Sequence, residues 1–296
     1  MKKKFQGTGV ALVTPFHKYG AVDFSAIEKV VEHTINNNAD YLVVLGTTGE
    51  VPTLSKDEKQ AVTEFVIETV NGRVPIVLGM GGNNTQEVVN CIKSASFDGI
   101  DAILSVCPYY NKPKQKGIFY HYKTIASASP VPVILYNVPS RTGVNISAET
   151  TLQLANGYKN IVAIKEASGD FVQVMKILKN RPKDFLVISG DDALTLPLMA
   201  LGIDGVISVV ANAFPAEFSN MVNLCLKGKF VDARQIHFQL ISIINALFED
   251  GSPGGIKAAL QIIGLCENNL RLPVVKVNKS IYIKLTNLIS EFQSKK

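Results

Sequence analysis

The stretch Gly9-Val10-Ala11-Leu12-Val13-Thr14-Pro15-Phe16 decides between two ways in which this chain can fold. It is an apolar run that stops at a proline turn, so we expect it to be the first buried strand. Parallel strands that alternate with helices form either an open doubly wound sheet or a closed barrel. An open sheet usually carries a glycine-rich dinucleotide loop after its first strand. Because Thr14-Pro15-Phe16 occupies that place, the sequence favours the barrel.

Seven further apolar runs of this kind follow at the regular spacing of βα units. The predicted strands cover residues 9–16, 41–46, 76–80, 102–107, 133–137, 161–166, 186–190 and 205–210. The stretches between them have helical period. Asp23 is the expected N-cap of the first helix, and Ser55 with Glu58 forms the expected capping box of the second. Eight such units predict a (β/α)8 TIM barrel.

The sequence pattern changes after residue 226, where the short apolar runs typical of strands end. Apolar residues then recur at helical spacing over 228–248, and more helical texture follows at 255–265 and 278–292. We therefore predict two domains: a (β/α)8 barrel catalytic domain over 1–226 and a C-terminal all-helical appendage over 227–296. The appendage is too amphipathic to stand alone, so we expect it to pack on the barrel or on a neighbouring subunit.

Composition sets limits on function. The chain has 296 residues, of which 47% are hydrophobic and 19% charged, with a net charge of +5. Its lysine clusters lie only at the termini, so we expect no nucleic-acid partner. No signal peptide or membrane-spanning run is recognised, which predicts a soluble cytoplasmic protein without a membrane partner. Four cysteines without CxxC spacing are expected to be buried free thiols: Cys91, Cys107, Cys225 and Cys266.

Lys165 is the most informative candidate residue, because it ends the otherwise apolar run Ile161-Val162-Ala163-Ile164-Lys165. Strand alternation predicts that Ile161, Ala163 and Lys165 share one face. If that face lines the barrel, burial disfavours the charged ammonium and supplies the neutral amine that attacks a carbonyl carbon. The alternative is a lysine paired with a carboxylate, although the adjacent Glu166 is expected to point to the opposite face.

Other polar groups follow the carboxyl ends of the remaining strands, where barrel enzymes carry their active sites. Tyr136 shares a face with Ile134 and offers a phenol for proton transfer in Schiff-base chemistry. Thr47 and Thr48 supply hydroxyls on a glycine-flanked loop, and Arg141 offers a fork for a carboxylate. Taken alone, each is more often explained by packing, turn formation or an ordinary surface position.

The sequence predicts no metal site. Asp191 and Asp192 are adjacent carboxylates but lack companions, and we expect Asp192 to be a helix N-cap. The histidines are scattered through the chain without metal-ligand spacing: His17, His33, His121 and His237.

Four motifs, in this order, resemble those of the 4-hydroxy-tetrahydrodipicolinate synthase (dihydrodipicolinate synthase) family. They are Gly46-Thr47-Thr48-Gly49-Glu50, Pro108-Tyr109-Tyr110-Asn111, Tyr136-Asn137-Val138-Pro139-Ser140-Arg141-Thr142-Gly143 and Ile164-Lys165-Glu166. The resemblance covers essentially the whole chain and places it among the pyruvate-dependent class I aldolases of the N-acetylneuraminate lyase superfamily. It implies condensation of pyruvate with L-aspartate 4-semialdehyde, in lysine and diaminopimelate biosynthesis, without an organic cofactor or a catalytic metal.

The resemblance also implies a role for each matching catalytic residue. Lys165 would bind pyruvate as a covalent imine, and Tyr136 would donate and accept protons. Thr47 would link Tyr136 to Tyr110, which in this family reaches into the neighbouring subunit's site. The implied assembly is a homotetramer built as a dimer of dimers, with Tyr110 acting across the dimer interface.

Substrate-binding residues are implied in the same way. Thr48 and the backbone at Gly190 and Ile207 would contact pyruvate or shape its pocket. Arg141 would bind the carboxylate of L-aspartate 4-semialdehyde at the mouth of the site.

A departure from the family pattern concerns feedback inhibition by lysine. Lysine-sensitive members carry small or polar residues after the strand-two motif and a histidine in the next helix, whereas this chain has Val51, Pro52 and Lys56. A positive charge at Lys56 would oppose the ammonium of a bound lysine, so we expect weak or absent inhibition. Three other positions do match the family's allosteric pocket: Asn83, Glu87 and Tyr109.

Two alternatives stay open at this stage. One is an N-acetylneuraminate lyase or another 2-keto-acid aldolase, in which the loop matching Arg141 typically lacks the arginine and the threonine pair reads Ser-Thr. The other is a barrel that binds a keto acid without turnover. Loss of Lys165 or Tyr136 would favour the second alternative, and both residues are present.

Overall fold

The computed structural model describes residues 4–294 and contains a closed barrel of parallel strands. The strands pair in sequence order, and β8 pairs back with β1. They are β1 (Gly7–Ala11), β2 (Tyr41–Val44), β3 (Ile76–Gly79), β4 (Ala102–Val106), β5 (Val133–Asn137), β6 (Ile161–Glu166), β7 (Leu186–Ser189) and β8 (Gly205–Ser208). The predicted (β/α)8 barrel is therefore confirmed. The lysine-rich ends at 1–3 and 295–296 lie outside the described residues.

Helices follow the strands around the outside of the barrel and continue beyond it. They are α1 (Phe24–Asn36), α2 (Lys56–Val70), α3 (Thr85–Ser94), α4 (Gln115–Ala128), α5 (Pro139–Thr142), α6 (Ala148–Gly157), α7 (Phe171–Asn180), α8 (Thr195–Ala200), α9 (Pro215–Leu226), α10 (Phe230–Glu249), α11 (Gly254–Ile262) and α12 (Lys279–Ser294). The expected C-terminal helices are α10, α11 and α12. The domain boundary between residues 226 and 227 falls between α9 and α10 and stays a prediction.

Local sequence signals position two of the helices. The Asp23 carboxylate accepts a hydrogen bond from the Ala26 N–H (3.0 Å) and caps α1. At α2, the Glu58 N–H donates to the Ser55 hydroxyl while the Ser55 N–H donates to the Glu58 carboxylate. Both caps satisfy N–H groups that have no partner within the helix, so both predictions are confirmed.

The first strand differs from its predicted bounds, since it begins at Gly7 and ends at Ala11. Leu12 still donates its N–H to the Val43 carbonyl oxygen, but the Val13 N–H donates to the Asn212 side-chain oxygen instead. The chain leaves the ladder at that point because its next donor is taken by the side chain of Asn212, in the turn after the neighbouring strand β8.

Apolar side chains pack in two layers, one inside the barrel and one between strands and helices. Ala163 lies in the inner layer as predicted, whereas Ile161 lies in the outer layer, so its predicted face was wrong. The cause is a register shift: Val133 pairs with Ile161, but Ile134 pairs with Ala163, which leaves Val162 as an extra residue. Such a bulge breaks the two-residue alternation.

All four cysteines are free, as predicted, but only Cys107 and Cys225 are buried. Cys266 is half-buried and Cys91 is exposed on α3, so the expectation of burial was wrong for Cys91 and only partly met for Cys266. Within residues 4–294, every helix is too short or too polar to cross a membrane.

Candidate active site

Lys165 and Tyr136 lie side by side at the carboxyl ends of neighbouring strands. They are register partners on β6 and β5. The Lys165 side chain points into the barrel, where the residue is only 5% exposed, and its Nζ lies 4.4 Å from the centroid of the Tyr136 ring. A cation over an aromatic face is attracted by the ring quadrupole. The structure therefore holds an amine and a phenol together at the end of the barrel where TIM-barrel enzymes bind substrate.

Glu166 does not neutralise Lys165, because its side chain points to the opposite face. Its carboxylate accepts hydrogen bonds from the side-chain amides of Asn137 (3.0 and 3.1 Å) and Gln173 (3.0 Å), and from the Ser168 N–H (2.8 Å). None of the ion pairs among residues 4–294 includes Lys165. A structural salt bridge therefore does not explain why this lysine is buried.

Gly190 gives Lys165 the space that it occupies. A Cβ atom at Gly190 would lie 2.7 Å from the Ala167 Cβ and 3.0 Å from the Lys165 Cε. The Gly190 N–H already donates to the Glu166 carbonyl oxygen (2.8 Å). Gly190 therefore shapes the pocket around the lysine, and its N–H is not free for a substrate.

Gly190→Ala is expected to slow covalent capture of a keto acid without unfolding the barrel. The added methyl group must displace both the backbone that carries Ala167 and the Lys165 stem, and a misplacement of about 1 Å can cost about 100-fold in rate. We expect the rate of borohydride trapping with pyruvate to fall about 10- to 100-fold. The matched control is Gly157→Ala, whose added Cβ meets nothing within 4 Å. A trapping rate for Gly190→Ala equal to that of the control would show that the pocket does not need this glycine.

The threonine loop follows β2 as a short 3₁₀ turn, Thr47–Gly49. Thr48 is buried, Thr47 is exposed, and the Thr14 hydroxyl donates to the Gly49 carbonyl oxygen (2.8 Å). In the described part of this single chain, no hydrogen bond joins the hydroxyls of Thr47, Tyr136 and Tyr110. Tyr110 is 89% exposed, with a positive φ of 71°, so its ring lies in solvent.

The remaining predicted substrate residues lie on different sides of the pocket. Ile207 on β8 is buried in the inner layer with Ile134 and Ile188, which makes the barrel interior beneath the lysine apolar. Burial there raises the pKa of Tyr41 well above its usual value. Arg141 lies on α5 with an exposed side chain that forms no ion pair with any described residue. Its guanidinium is thus free to bind an anion.

The predicted allosteric residues lie on the outer loops. The Asn111 side-chain amide donates to the Asn83 carbonyl oxygen (2.9 Å), which ties the start of α3 to the loop that carries Tyr109. Glu87 on α3 is exposed, and so is Lys56 at the start of α2. Among residues 4–294, Lys56 forms no hydrogen bond or ion pair with these groups.

Asp192 does not cap a helix of its own loop, so that prediction was wrong. Asp191 makes the local turn by accepting hydrogen bonds from the Ala193 N–H (2.9 Å) and the Leu194 N–H (3.2 Å). The Asp192 carboxylate instead reaches across to the turn after β8, where it accepts from the Val209 N–H (3.0 Å) and the Val210 N–H (2.8 Å). Burial raises the pKa of Asp192 from 3.8 to about 6.

The raised pKa of Asp192 predicts a pH dependence of stability. The folded state binds this proton more tightly than the unfolded state, so the stabilisation is complete below the unfolded pKa of 3.8 and is lost as the pH rises through about 6. The shift in the pKa of Asp192 corresponds to about 3 kcal/mol in free energy of unfolding. We expect the difference in unfolding free energy between wild type and Asp192→Asn to fall by most of this amount from pH 4 to pH 7. A difference that does not vary with pH would contradict the assignment.

Two buried charges were missed by sequence reasoning. Lys257 on α11 is fully buried and pairs with Glu50, at the end of the threonine loop. The available signal was a lysine inside the apolar stretch Gly254-Gly255-Ile256-Lys257-Ala258-Ala259-Leu260. The sequence shows Glu50 only as the last residue of the motif Gly46-Thr47-Thr48-Gly49-Glu50, without a sign of its partner. In the part of the chain that the structure describes, no three His, Cys, Asp or Glu side chains are grouped to hold a metal ion.

A closed (β/α)8 barrel with a buried lysine against a tyrosine at the carboxyl ends of its strands is the architecture of a class I, Schiff-base-forming aldolase. Within that class, the chain belongs to the Dihydrodipicolinate synthetase family, which residues 4–292 match. The resemblance predicted from the four motifs is therefore confirmed.

Individual relatives agree with this membership over their full lengths. The chain is 52% identical over 290 residues to the 4-hydroxy-tetrahydrodipicolinate synthase of Parabacteroides distasonis, and 98% of each chain is covered. The chloride-inhibited dihydrodipicolinate synthase of Acinetobacter baumannii, solved as a complex with pyruvate, is 40% identical with a TM-score of 0.94, covering 97% of this chain and 99% of that one. The enzyme of Cyanidioschyzon merolae with lysine bound is 38% identical with a TM-score of 0.95, and 99% of each chain is covered.

Proposed function

We propose that this chain is a 4-hydroxy-tetrahydrodipicolinate synthase, a lyase of the class I aldolase type that condenses pyruvate with L-aspartate 4-semialdehyde. Family membership and 52% identity to a synthase of that name support the proposal. The observation that carries the chemistry is the buried Lys165, with its Nζ 4.4 Å from the Tyr136 ring centroid. The proposed role is in lysine and diaminopimelate biosynthesis, which is the ground for proposing a cytoplasmic location.

The first half of the proposed reaction captures pyruvate without a cofactor. The neutral Lys165 amine attacks the keto carbon of pyruvate, and the carbinolamine loses water to give an imine. The Tyr136 ring lies against the amine, and its hydroxyl is the group that would pass the protons that these steps require. The protonated imine then withdraws electrons, so the pyruvate methyl group loses a proton and becomes a nucleophilic enamine carbon. Thr48 and Gly190 shape the pocket in which this occurs.

The second half joins the two substrates. The enamine carbon attacks the aldehyde carbon of L-aspartate 4-semialdehyde, whose oxygen takes up a proton to become the hydroxyl group. The amine of the second substrate then attacks the imine carbon, which closes the ring and releases Lys165 as the free amine. The exposed Arg141 guanidinium, on the loop after β5, offers two parallel hydrogen bonds to the substrate carboxylate.

The second substrate distinguishes this proposal from an N-acetylneuraminate lyase. Arg141 and the Thr47-Thr48 pair favour the synthase. The test supplies the purified protein with pyruvate and L-aspartate 4-semialdehyde, and separately with N-acetylneuraminate. We expect turnover only in the first assay. Turnover of N-acetylneuraminate alone would establish the lyase, and turnover in neither assay would favour a keto-acid-binding barrel.

We further propose that the enzyme is a homotetramer, built as a dimer of dimers. The support is Tyr110, whose large aromatic ring is almost fully exposed in the single chain. A partner subunit that places its own Tyr110 near Thr47 would complete the proton relay proposed for Tyr136. No cofactor enters this scheme.

Feedback by lysine is expected to be weak or absent. We propose Asn83, Glu87 and Tyr109 as residues of a lysine pocket and Lys56 as the charge that opposes binding of a second ammonium group. In a steady-state assay, we expect half-inhibition by lysine only in the millimolar range or not at all. Lys56→His introduces the histidine that lysine-sensitive family members carry in this helix. It should lower the lysine concentration that gives half-inhibition. Micromolar inhibition of the wild type would contradict this prediction.

A further inference from the structure

The turn that carries Thr47 and Thr48 ends at a residue in an unfavourable conformation. Glu50 lies between the 3₁₀ turns Thr47–Gly49 and Val51–Thr53, with φ 53° and ψ 35°. This left-handed region is uncommon for residues other than glycine and persists only where surrounding structure imposes it. Glu50 is also only 2% exposed, so its carboxylate has left water. Burying that charge requires partners for both oxygens.

The partners come from the C-terminal part of the chain. The Lys257 Nζ on α11 donates to the Glu50 Oε1 (2.5 Å) and to the Asn269 carbonyl oxygen (2.8 Å). The Arg271 backbone N–H donates to the Glu50 Oε2 (3.1 Å). Lys257 is fully buried, and burial lowers its pKa while Glu50 opposes that change. The pair is thus a desolvated ion pair between a βα loop and a helix far along the chain.

The same region holds the loop after β1. The ring of Phe16 lies 4.1 Å from the Lys257 Nζ and 4.5 Å from the Arg271 Cζ, measured from its centroid. The Arg271 guanidinium donates to the carbonyl oxygens of Thr53 (2.8 Å) and Gly20 (2.6 and 2.9 Å) and pairs with the Glu58 carboxylate. The C-terminal segment therefore binds both loops that flank the mouth of the barrel at β1 and β2.

The connection from Glu50 to the substrate loop is short. Gly49 alone separates Glu50 from Thr48, and the Glu50 N–H donates to the Thr47 carbonyl oxygen (3.3 Å). A shift of the Glu50 backbone therefore moves the turn that orients both threonines. A buried ion pair is seldom more stabilising than apolar residues of the same size. Its hydrogen bonds are directional, however, so they fix the position of the Glu50 carboxylate more strictly than apolar contacts would.

We propose that Glu50, held by Lys257, is a positioning residue for Thr47 and Thr48, so that the C-terminal helices complete the active site. The inference rests on the proposed function, because the loop matters only if it binds or activates the substrate. The helical segment after the barrel is then part of the catalytic apparatus, acting through one ion pair.

The test compares Glu50→Gln with a matched control in which an exposed ion pair between two other C-terminal helices, α10 and α12, is removed. The control is Glu249→Gln with Lys284→Met. We expect Glu50→Gln to lower kcat about 10- to 100-fold, because the threonine turn is misplaced. The KM for L-aspartate 4-semialdehyde should change little, since Arg141 lies on another loop. The control variant should stay within about two-fold of the wild-type kcat.

A second variant keeps the test decisive if Glu50→Gln does not fold. Glu50→Asp keeps the charge but is one methylene shorter, so it cannot reach both Lys257 and the Arg271 N–H, and the same fall in kcat is expected. Circular dichroism checks that each variant is folded. A wild-type protein without synthase turnover would contradict the proposed function itself. Wild-type turnover together with an unchanged kcat in folded Glu50→Gln or Glu50→Asp would overturn only the positioning role.

Discussion

Lys165→Met should lower the kcat of the condensation by about 1,000-fold or more and abolish covalent capture of pyruvate. Methionine matches the length of the lysine stem and keeps the apolar contacts in the barrel, but it has no amine to form the imine. Losing the nucleophile of a covalent mechanism typically costs far more than losing a binding contact. The measurement pairs steady-state kinetics with borohydride trapping.

The matched control for this variant is Lys179→Met, an exposed lysine on α7, the helix that follows the same strand. It should retain wild-type kinetics and normal trapping. If Lys165→Met still turned over at more than a few per cent of the wild-type rate, Lys165 would not be the Schiff-base residue. The buried position beside Tyr136 would then need a different explanation.

Lys257→Met should cause a large loss of stability. It removes one partner of a fully buried ion pair and leaves the Glu50 carboxylate desolvated without a counter-charge. Breaking such a pair costs about 3–5 kcal/mol in free energy of unfolding. Chemical unfolding of wild type and variant, followed by circular dichroism, measures this difference.

The double variant Glu50→Gln with Lys257→Met provides the control for that explanation. It removes both charges, so no uncompensated buried charge is left, and we expect it to unfold at a higher denaturant concentration than Lys257→Met alone. Equal or lower stability of the double variant would show that the loss comes from packing around Lys257 and not from the charge on Glu50.

Most of the fold follows from local patterns in the sequence. The apolar runs at βα spacing predict all eight strands, because parallel strands buried on both faces must be continuously apolar. Caps at Asp23 and Ser55 are equally local and were predicted correctly. Lys165 and Tyr136 could also be predicted as site residues from their positions at strand ends. The alternation of side chains along each strand and the closure of the barrel together place both side chains inside.

What the sequence could not predict depends on contacts between distant parts of the chain. The bulge at Val162 depends on the register with β5, so the face of Ile161 was misassigned. Asp192 bonds to the backbone beyond β8 rather than to its own loop. Lys257 pairs with a residue 207 positions away, and no local pattern encodes such a pairing. Each case requires the closed barrel and its C-terminal helices to be in place first.

The most direct test of the account is mass spectrometry of the protein after incubation with pyruvate and borohydride. Reduction converts the imine into a stable secondary amine, so the modified residue can be located in a proteolytic digest. We predict one pyruvate-derived adduct for each chain, on the peptide that contains Lys165. No adduct, or an adduct on another lysine, would contradict it.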